Sequence, residues 1–243
     1  MSEPRHLPKA PIREALIDIG VKLPKDANVA LMRKLRDRVA ADYPDSVELR
    51  EAELEVNLTQ DRNSLTQIHT VTGYRCQRDN KIVQFRLNGF TYNWLNPYAR
   101  WQDLRDAAKE LWEAYYGTAK PVSVTRVGLR YINNVNLPLP FKDFKEYLTA
   151  PPSIPSKLPQ RVTRFLTRVS IAQDVGALSA VITQAFEGIV GPKHVTVIFD
   201  VDTSKRGEFT NDEEIWQALE SLHVFKNEIF FSSLTEKAVR LFE

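Results

Sequence analysis

Cysteine and glycine are scarce in this 243-residue chain, and each shortage excludes a class of protein. Cys76 is the single cysteine, so no disulfide can form within the chain. The four histidines have no metal-ligand spacing, which leaves a zinc site without support. The 9 glycines form no phosphate-binding loop, dinucleotide-binding fingerprint or nucleophile elbow. The sequence therefore carries no signature of the common nucleotide-binding or hydrolytic enzymes, and no cofactor is expected.

Long apolar runs and excess charge are missing as well. No window approaches the ~18 consecutive apolar residues that a membrane helix needs. Residues 1–10 are polar and proline-punctuated, without the apolar core of a signal peptide. We therefore expect a cytoplasmic protein that does not contact a membrane. The net charge of +2 gives no general reason to expect nucleic acid, although a local basic groove is compatible with it.

Alternation of apolar and polar residues predicts a strand-rich α+β protein. The predicted strands are residues 14–21, 47–58, 65–77, 82–92, 121–135, 162–173, 178–187 and 193–202. A helix is predicted after the first strand of each half, and in the second half it spans residues 141–148. A further helix is predicted at the end of each half. Trp101, Leu104 and Trp112 lie on the apolar stripe of the helix that ends the first half.

Each half of the chain thus has the order strand, helix, three strands, helix. We place the boundary between residues 118 and 119 and expect residues 1–118 and 119–243 to pack as one compact body. Strand runs linked by hairpins favour antiparallel pairing. Two such halves predict a mostly antiparallel sheet with the shape of a saddle or a barrel.

Charged residues recur with period two on several predicted strands. Glu51, Glu53 and Glu55 share one strand face at spacings of ~7 Å. The arginines available to oppose them are Arg75, Arg86, Arg126, Arg130, Arg164 and Arg168. Two interpretations are open, and the favoured one is a solvated sheet face with cross-strand ion pairs. The other is a site in which the carboxylates hold Mg²⁺ or Mn²⁺ and the arginines bind phosphate.

The second interpretation is similar to the architecture of triphosphate tunnel metalloenzymes, whose first strand carries Glu-x-Glu-x-Lys. This chain departs from that pattern, because Glu55 occupies the lysine position and the strand is not N-terminal. Gly128 also bears on an anion site, since it shares a strand face with Arg126 and Arg130. A residue without a side chain leaves space there for an anion, or for a glutamate from a neighbouring strand.

Aromatic residues cluster just before the predicted helix at Trp101. Tyr92, Trp94 and Tyr98 are candidates for contact with a protein partner or for base stacking, since such residues often anchor interfaces. The favoured interpretation is that they hold the following helix on the sheet.

Two motifs carry a resemblance to a known family. They are Pro-Ile-Arg-Glu-Ala at residues 11–15 and Arg-Val-Gly-Leu-Arg-Tyr-Ile-Asn at residues 126–133. Over nearly its whole length the chain resembles a sporadically distributed, uncharacterised family of bacterial proteins of similar length. The resemblance implies a toxin–antitoxin or phage-defence locus and brings no catalytic residues.

Three functional hypotheses follow. The leading one is a non-enzymatic binding or regulatory protein that acts through a protein partner. The alternative is a metal-dependent phosphohydrolase or nucleotide-binding protein. The third is a saddle-shaped nucleic-acid binder, which requires a basic concave sheet.

Overall fold

The computed structural model describes residues 7–58, 63–188 and 193–243, with side chains except at 52–58, 63–69 and 175. Across these residues, nine strands form one antiparallel sheet in the order β2-β3-β4-β5-β1-β6-β9-β8-β7. The strands are β1 (Ile12–Lys22), β2 (Asp45–Leu58), β3 (Asn63–Arg78), β4 (Lys81–Arg86), β5 (Gly89–Leu95), β6 (Ser123–Pro138), β7 (Phe165–Gln173), β8 (Leu178–Phe186) and β9 (His194–Phe209). The predicted α+β class is confirmed.

The first strand of each half lies at the centre of the sheet. β1 and β6 pair antiparallel, with Ile17 opposite Leu129 and Asp18 opposite Gly128. The chain passes from the first half to the second at residues 120–122, between a helix and β6. Because the sheet runs without a break through the β1–β6 pair, both halves share one hydrophobic core.

The long helices pack on one side of the sheet, here termed the covered face. Helix α1 (Val29–Val39) lies on β3 and β4, α2 (Trp101–Ala119) on β1 and β5, and α3 (Asp212–Ser233) on β6 and β9. A short helix, α4 (Glu236–Val239), follows α3. None of the helices in the described part of the chain combines the length and the apolar character needed to cross a bilayer.

The opposite side of the sheet, here termed the open face, carries the polar residues of the same strands. On β1 the apolar residues Ile17 and Ile19 are fully buried under the helices, whereas Asp18 between them points to the open face and is partly exposed. The outermost strands are β2 and β7, which do not pair with each other. The sheet is therefore open, and the predicted barrel is wrong.

Two element predictions are also wrong. Residues 82–92 are two strands, β4 and β5, joined by a turn at Leu87–Asn88. Residues 141–148 contain only a 3₁₀ turn at Phe144–Glu146, because Leu148 forms a β-bridge with Leu234 and holds this segment against the end of α3. The second half thus has one strand fewer than the first, and no α1 counterpart in its described residues.

Candidate functional site

Three of the predicted arginines meet at the centre of the open face, where they bind aspartates. Arg86 Nη2 lies 2.6 Å from Asp18 Oδ1, and Arg126 Nη1 lies 2.6 Å from Asp18 Oδ2. Arg130 donates two hydrogen bonds to Asp200, at 2.8 and 2.6 Å. Hydrogen bonding to Asp200 raises the pKa of Arg130 above its ordinary value. These carboxylates hold the arginines as cross-strand pairs, and none of them is one of the predicted glutamates.

The space beside Gly128 is filled by the chain itself. The guanidinium of Arg126 folds over this glycine on its way to Asp18, and a Cβ at Gly128 would lie 2.6 Å from Arg126 Nη1. A side chain at position 128 would press against this guanidinium, so the glycine leaves room for the Arg126–Asp18 pair. The anion site between Arg126 and Arg130 stays a prediction, and an anion there would compete with Asp18 and Asp200 for these arginines.

Replacing Asp18 with alanine is expected to lower the free energy of unfolding by about 2–3 kcal/mol, since it leaves Arg86 without its carboxylate partner and Arg126 with only a longer contact to Asp202, at 3.5 Å. The side chains of Asp18, Arg86 and Arg126 are 22%, 28% and 24% exposed, so water compensates only in part. Urea denaturation measures the change. Asp103→Ala is the matched control, because Asp103 pairs with Arg100 at the surface and its loss should cost under about 1 kcal/mol. Equal losses would contradict the argument.

The other predicted charged residues do not join this cluster. Arg75 donates to Gln77 at 2.7 Å, and Arg164 lies 3.5 Å from Glu187 at the surface. Arg168 is exposed on β7 and makes no ion pair with any described residue. Glu51 is exposed on β2, whereas the side chains of Glu53 and Glu55 lie outside the described residues.

No group of three or more metal-ligating side chains suited to an ion occurs in the described part of the chain. The Mg²⁺ or Mn²⁺ site at Glu51, Glu53 and Glu55 therefore stays a prediction.

The three predicted aromatic residues have different surroundings. Tyr92 is fully buried in the core, so it is not available to a partner. Trp94 is partly exposed and donates from Nε1 to the carbonyl of Pro97 at 3.1 Å. Tyr98 lies at the wall of a large cleft.

This cleft has a volume of about 740 Å³ and lies on the covered face, above the junction of β1 and β6. The start of α2 and the loop before it form one wall, and the second half of α3 forms the other. Residues 7–12 and the β6 residues Tyr131 and Asn133 complete it. The two halves of the chain thus meet at a recess of the size that small-molecule sites have.

Lys226 of α3 is the unusual group in the cleft. Its residue exposure is 7%, and its Nζ lies 3.8 Å from the centre of the Tyr131 ring. Nζ donates to Asn227 Oδ1 at 2.6 Å and has no carboxylate partner among the described residues. Burial lowers the pKa of Lys226 to about 7, because the charged ammonium loses its hydration. Near neutral pH this amine can therefore gain or lose a proton.

Two tyrosine hydroxyls belong to the same cleft. Tyr98 and Tyr131 share a hydrogen bond of 2.8 Å. Burial raises the pKa of Tyr98 to about 12 and that of Tyr131 well above its ordinary value, so both phenols are neutral. A pair of neutral hydroxyls offers one remaining donor and free acceptor positions to a ligand.

An aromatic pair connects the two walls of the cleft. The His223 ring stacks on Trp101 with a centroid distance of 4.6 Å. Burial, with a smaller effect from the charge of Lys226, lowers the pKa of His223 to about 3. Trp101 Nε1 and Arg105 both donate to Glu220, at 2.9 and 2.8 Å, which fixes α2 against α3. The imidazole is therefore a neutral stacking surface at every ordinary pH.

Sequence reasoning missed Lys226, although a signal exists. Ile215, Leu219, Leu222 and Ile229 form the buried stripe of α3, and Lys226 takes the place in this stripe where an apolar residue is expected. A lysine within the apolar stripe of a helix is rarely buried without a partner. It was therefore a candidate on spacing alone.

Comparisons with known proteins add no second source of evidence. No protein-family model matches the chain, and no curated protein matches it in sequence. The candidate site consequently depends on the geometry of this cleft.

Proposed function

We propose that the chain is a binding protein whose cleft takes a small organic molecule with a carboxylate group. The observation that carries this proposal is the buried amine of Lys226, which lines the cleft without a carboxylate partner among the described residues. A buried ammonium is costly unless it is paired. The carboxylate of a ligand would supply the missing partner, and the free energy gained would favour binding.

The rest of the cleft fits the remainder of such a ligand. The hydroxyls of Tyr98 and Tyr131 belong to the same cleft and can bind a carboxylate oxygen or a hydroxyl. The aromatic pair of Trp101 and His223 also lines the cleft and can contact an apolar or aromatic part. A few polar groups within mostly apolar walls are typical of ligand sites.

Thermal melting and calorimetry test the proposal. The ligands are a panel of aliphatic and aromatic carboxylates, and the primary amide of each carboxylate is measured as its control. We expect some carboxylates to raise the melting temperature and their amides to have no effect. Pairing raises the pKa of Lys226 from about 7, so binding at pH 8 should take up as much as about one proton per ligand. Calorimetry in buffers of different ionisation enthalpy measures this uptake.

Two variants make the result specific. Lys226→Met should abolish both the carboxylate binding and the proton uptake. Lys9→Met is the matched control, since Lys9 lines the same cleft but is exposed, and this variant should bind normally. Carboxylate binding that survives in Lys226→Met, or binding of amides with equal affinity, would refute the proposal.

Of the three hypotheses from the sequence, action through a protein partner stays a prediction, and the phosphohydrolase or nucleotide-binding protein and the nucleic-acid binder have less support. Arg86, Arg126 and Arg130 already bind carboxylates, so phosphate would have to displace Asp18 or Asp200. The centre of the open face mixes these arginines with aspartates, whereas a saddle-shaped nucleic-acid binder needs a basic surface. Nucleotides with Mg²⁺ or Mn²⁺, and single-stranded nucleic acid, belong in the same melting panel, and no shift is expected from either.

A further inference from the structure

We propose that a second copy of the chain pairs with strand β7, so that two nine-stranded sheets join edge to edge. β7 is the last strand of the sheet, and its outer side has no partner among the described residues. Its apolar residues Leu166, Val169 and Ile171 are 72%, 54% and 37% exposed. An unpaired strand edge with exposed apolar side chains is a template for another strand.

The other edge of the sheet has a different composition. β2 carries charged residues along its whole length, and its charges are Asp45, Glu48, Arg50, Glu51, Glu53 and Glu55. Charged residues on an edge strand oppose pairing with a further strand. β7 has a single charged residue, Arg168, and no proline. One edge of the sheet is therefore protected against association and the other is not.

The covered face is also bare over most of β7. Phe144 packs on Phe165 at the start of the strand, with ring centres 5.2 Å apart. Further along, Val169 and Ile171 lie on the same face opposite Ile182 and Ala180 of β8, where they are 54% and 37% exposed. In the first half α1 packs on β3 and β4. The apolar side chains of β7 are thus left partly uncovered on this face.

The sequence of β7 favours a second copy as the occupant because self-pairing sets apolar residues opposite apolar residues and keeps its one charged residue from facing its equivalent. A two-fold axis through Val169, the middle residue, pairs all nine residues of Phe165–Gln173. Val169 then lies beside its equivalent, Leu166 lies opposite Ala172, and Arg168 lies opposite Ser170. No two charges of the same sign are directly opposite. The protected β2 edges remain outermost, so the assembly closes at two copies.

Sedimentation equilibrium of the full chain over a dilution series tests this interface. We expect a dimer for the natural protein and a monomer for Val169→Lys, which places two ammonium groups at the two-fold axis. Val47→Lys is the matched control, since Val47 is 53% exposed on β2 at the other edge, and this variant should stay dimeric. A monomeric or larger natural protein, a dimeric Val169→Lys, or dissociation by both substitutions would overturn the proposal.

Cysteine crosslinking tests the register. Opposed residues of antiparallel strands have Cα atoms about 4.5–5.5 Å apart, within the range that a disulfide bridges. Val169→Cys should form a covalent dimer on mild oxidation, whereas Ala172→Cys, which lies opposite Leu166, should not. The natural thiol of Cys76 is buried and does not interfere. Equal crosslinking of both variants would overturn this register. The interface is independent of the ligand site, so either proposal can fail alone.

Discussion

Replacing Trp112 with alanine should lower the free energy of unfolding by about 3–5 kcal/mol, which is the usual cost of removing a large aromatic side chain from a core. Trp112 is fully buried and lies between α2 and the sheet, with its ring 5.8 Å from Phe90 and 5.5 Å from Tyr115. Its Nε1 also donates to Asp212 at the start of α3, at 3.2 Å. One substitution thus leaves a cavity and removes a link between two helices.

Urea denaturation measures this loss, and we expect the slope of the free energy of unfolding against urea concentration to be unchanged. Tyr116→Ala is the control, since Tyr116 is an aromatic residue of the same helix that is 43% exposed. Its removal should cost about 1 kcal/mol or less. A Trp112→Ala protein as stable as Tyr116→Ala would mean that α2 is not anchored by this side chain.

Replacing Lys226 with methionine should instead raise the free energy of unfolding and so stabilise the protein. Each unit of pKa displacement corresponds to about 1.4 kcal/mol. The displacement of the Lys226 pKa from 10.5 to about 7 therefore gives an upper limit on the order of 5 kcal/mol for the cost of burying the ammonium. Methionine has a similar volume and needs no partner, but it loses the contact with the Tyr131 ring. We expect a net gain of about 1–3 kcal/mol at or below neutral pH.

The gain should depend on pH in a defined direction. Below about pH 7 the folded and unfolded states both hold the proton, and the full cost is present. Between about pH 7 and pH 10.5 the folded protein releases the proton while the unfolded chain keeps it, so the natural protein gains stability as pH rises. The stability difference between Lys226→Met and the natural protein should therefore shrink across this range.

Melting temperatures of the two proteins from pH 6 to pH 10 measure this difference, and the lower limit lies just below the folded pKa of about 7. Lys9→Met is the control, because Lys9 is exposed and its loss should be neutral at every pH. A constant difference, or a less stable Lys226→Met at neutral pH, would show that the amine is well accommodated. The expected result would mean that the amine costs stability, as residues kept for binding often do.

Local patterns in the sequence predicted the elements that depend on neighbouring residues. The stripe of Trp101, Leu104 and Trp112 is buried in α2 as its spacing indicates. The turn between β3 and β4 lies at Asp79–Asn80, in the gap between the predicted strands at residues 65–77 and 82–92. The hairpin between β4 and β5 was missed because apolar alternation continues through it, although Asn88-Gly89 is a strong hairpin signal.

The partners of the charged residues could not be read from the sequence. The interpretation as cross-strand ion pairs assigned the arginines to Glu51, Glu53 and Glu55. In the structure Arg86 and Arg126 bind Asp18, which is 68 and 108 positions away. Strand order decides which charges meet, and strand order depends on how the two halves pair through β1 and β6.

The sequence by itself determined the α+β class and the position of the long helices, because periodicity of burial is a local property. It did not determine the number of elements in each half, since the second half has one strand fewer than the first and no counterpart of α1 among its described residues. Only the tertiary structure decided that the sheet stays open, that β7 is an unprotected edge, and that Lys226 faces a cleft. Each of these depends on contacts between residues far apart in the chain, and local spacing carries no information about such contacts.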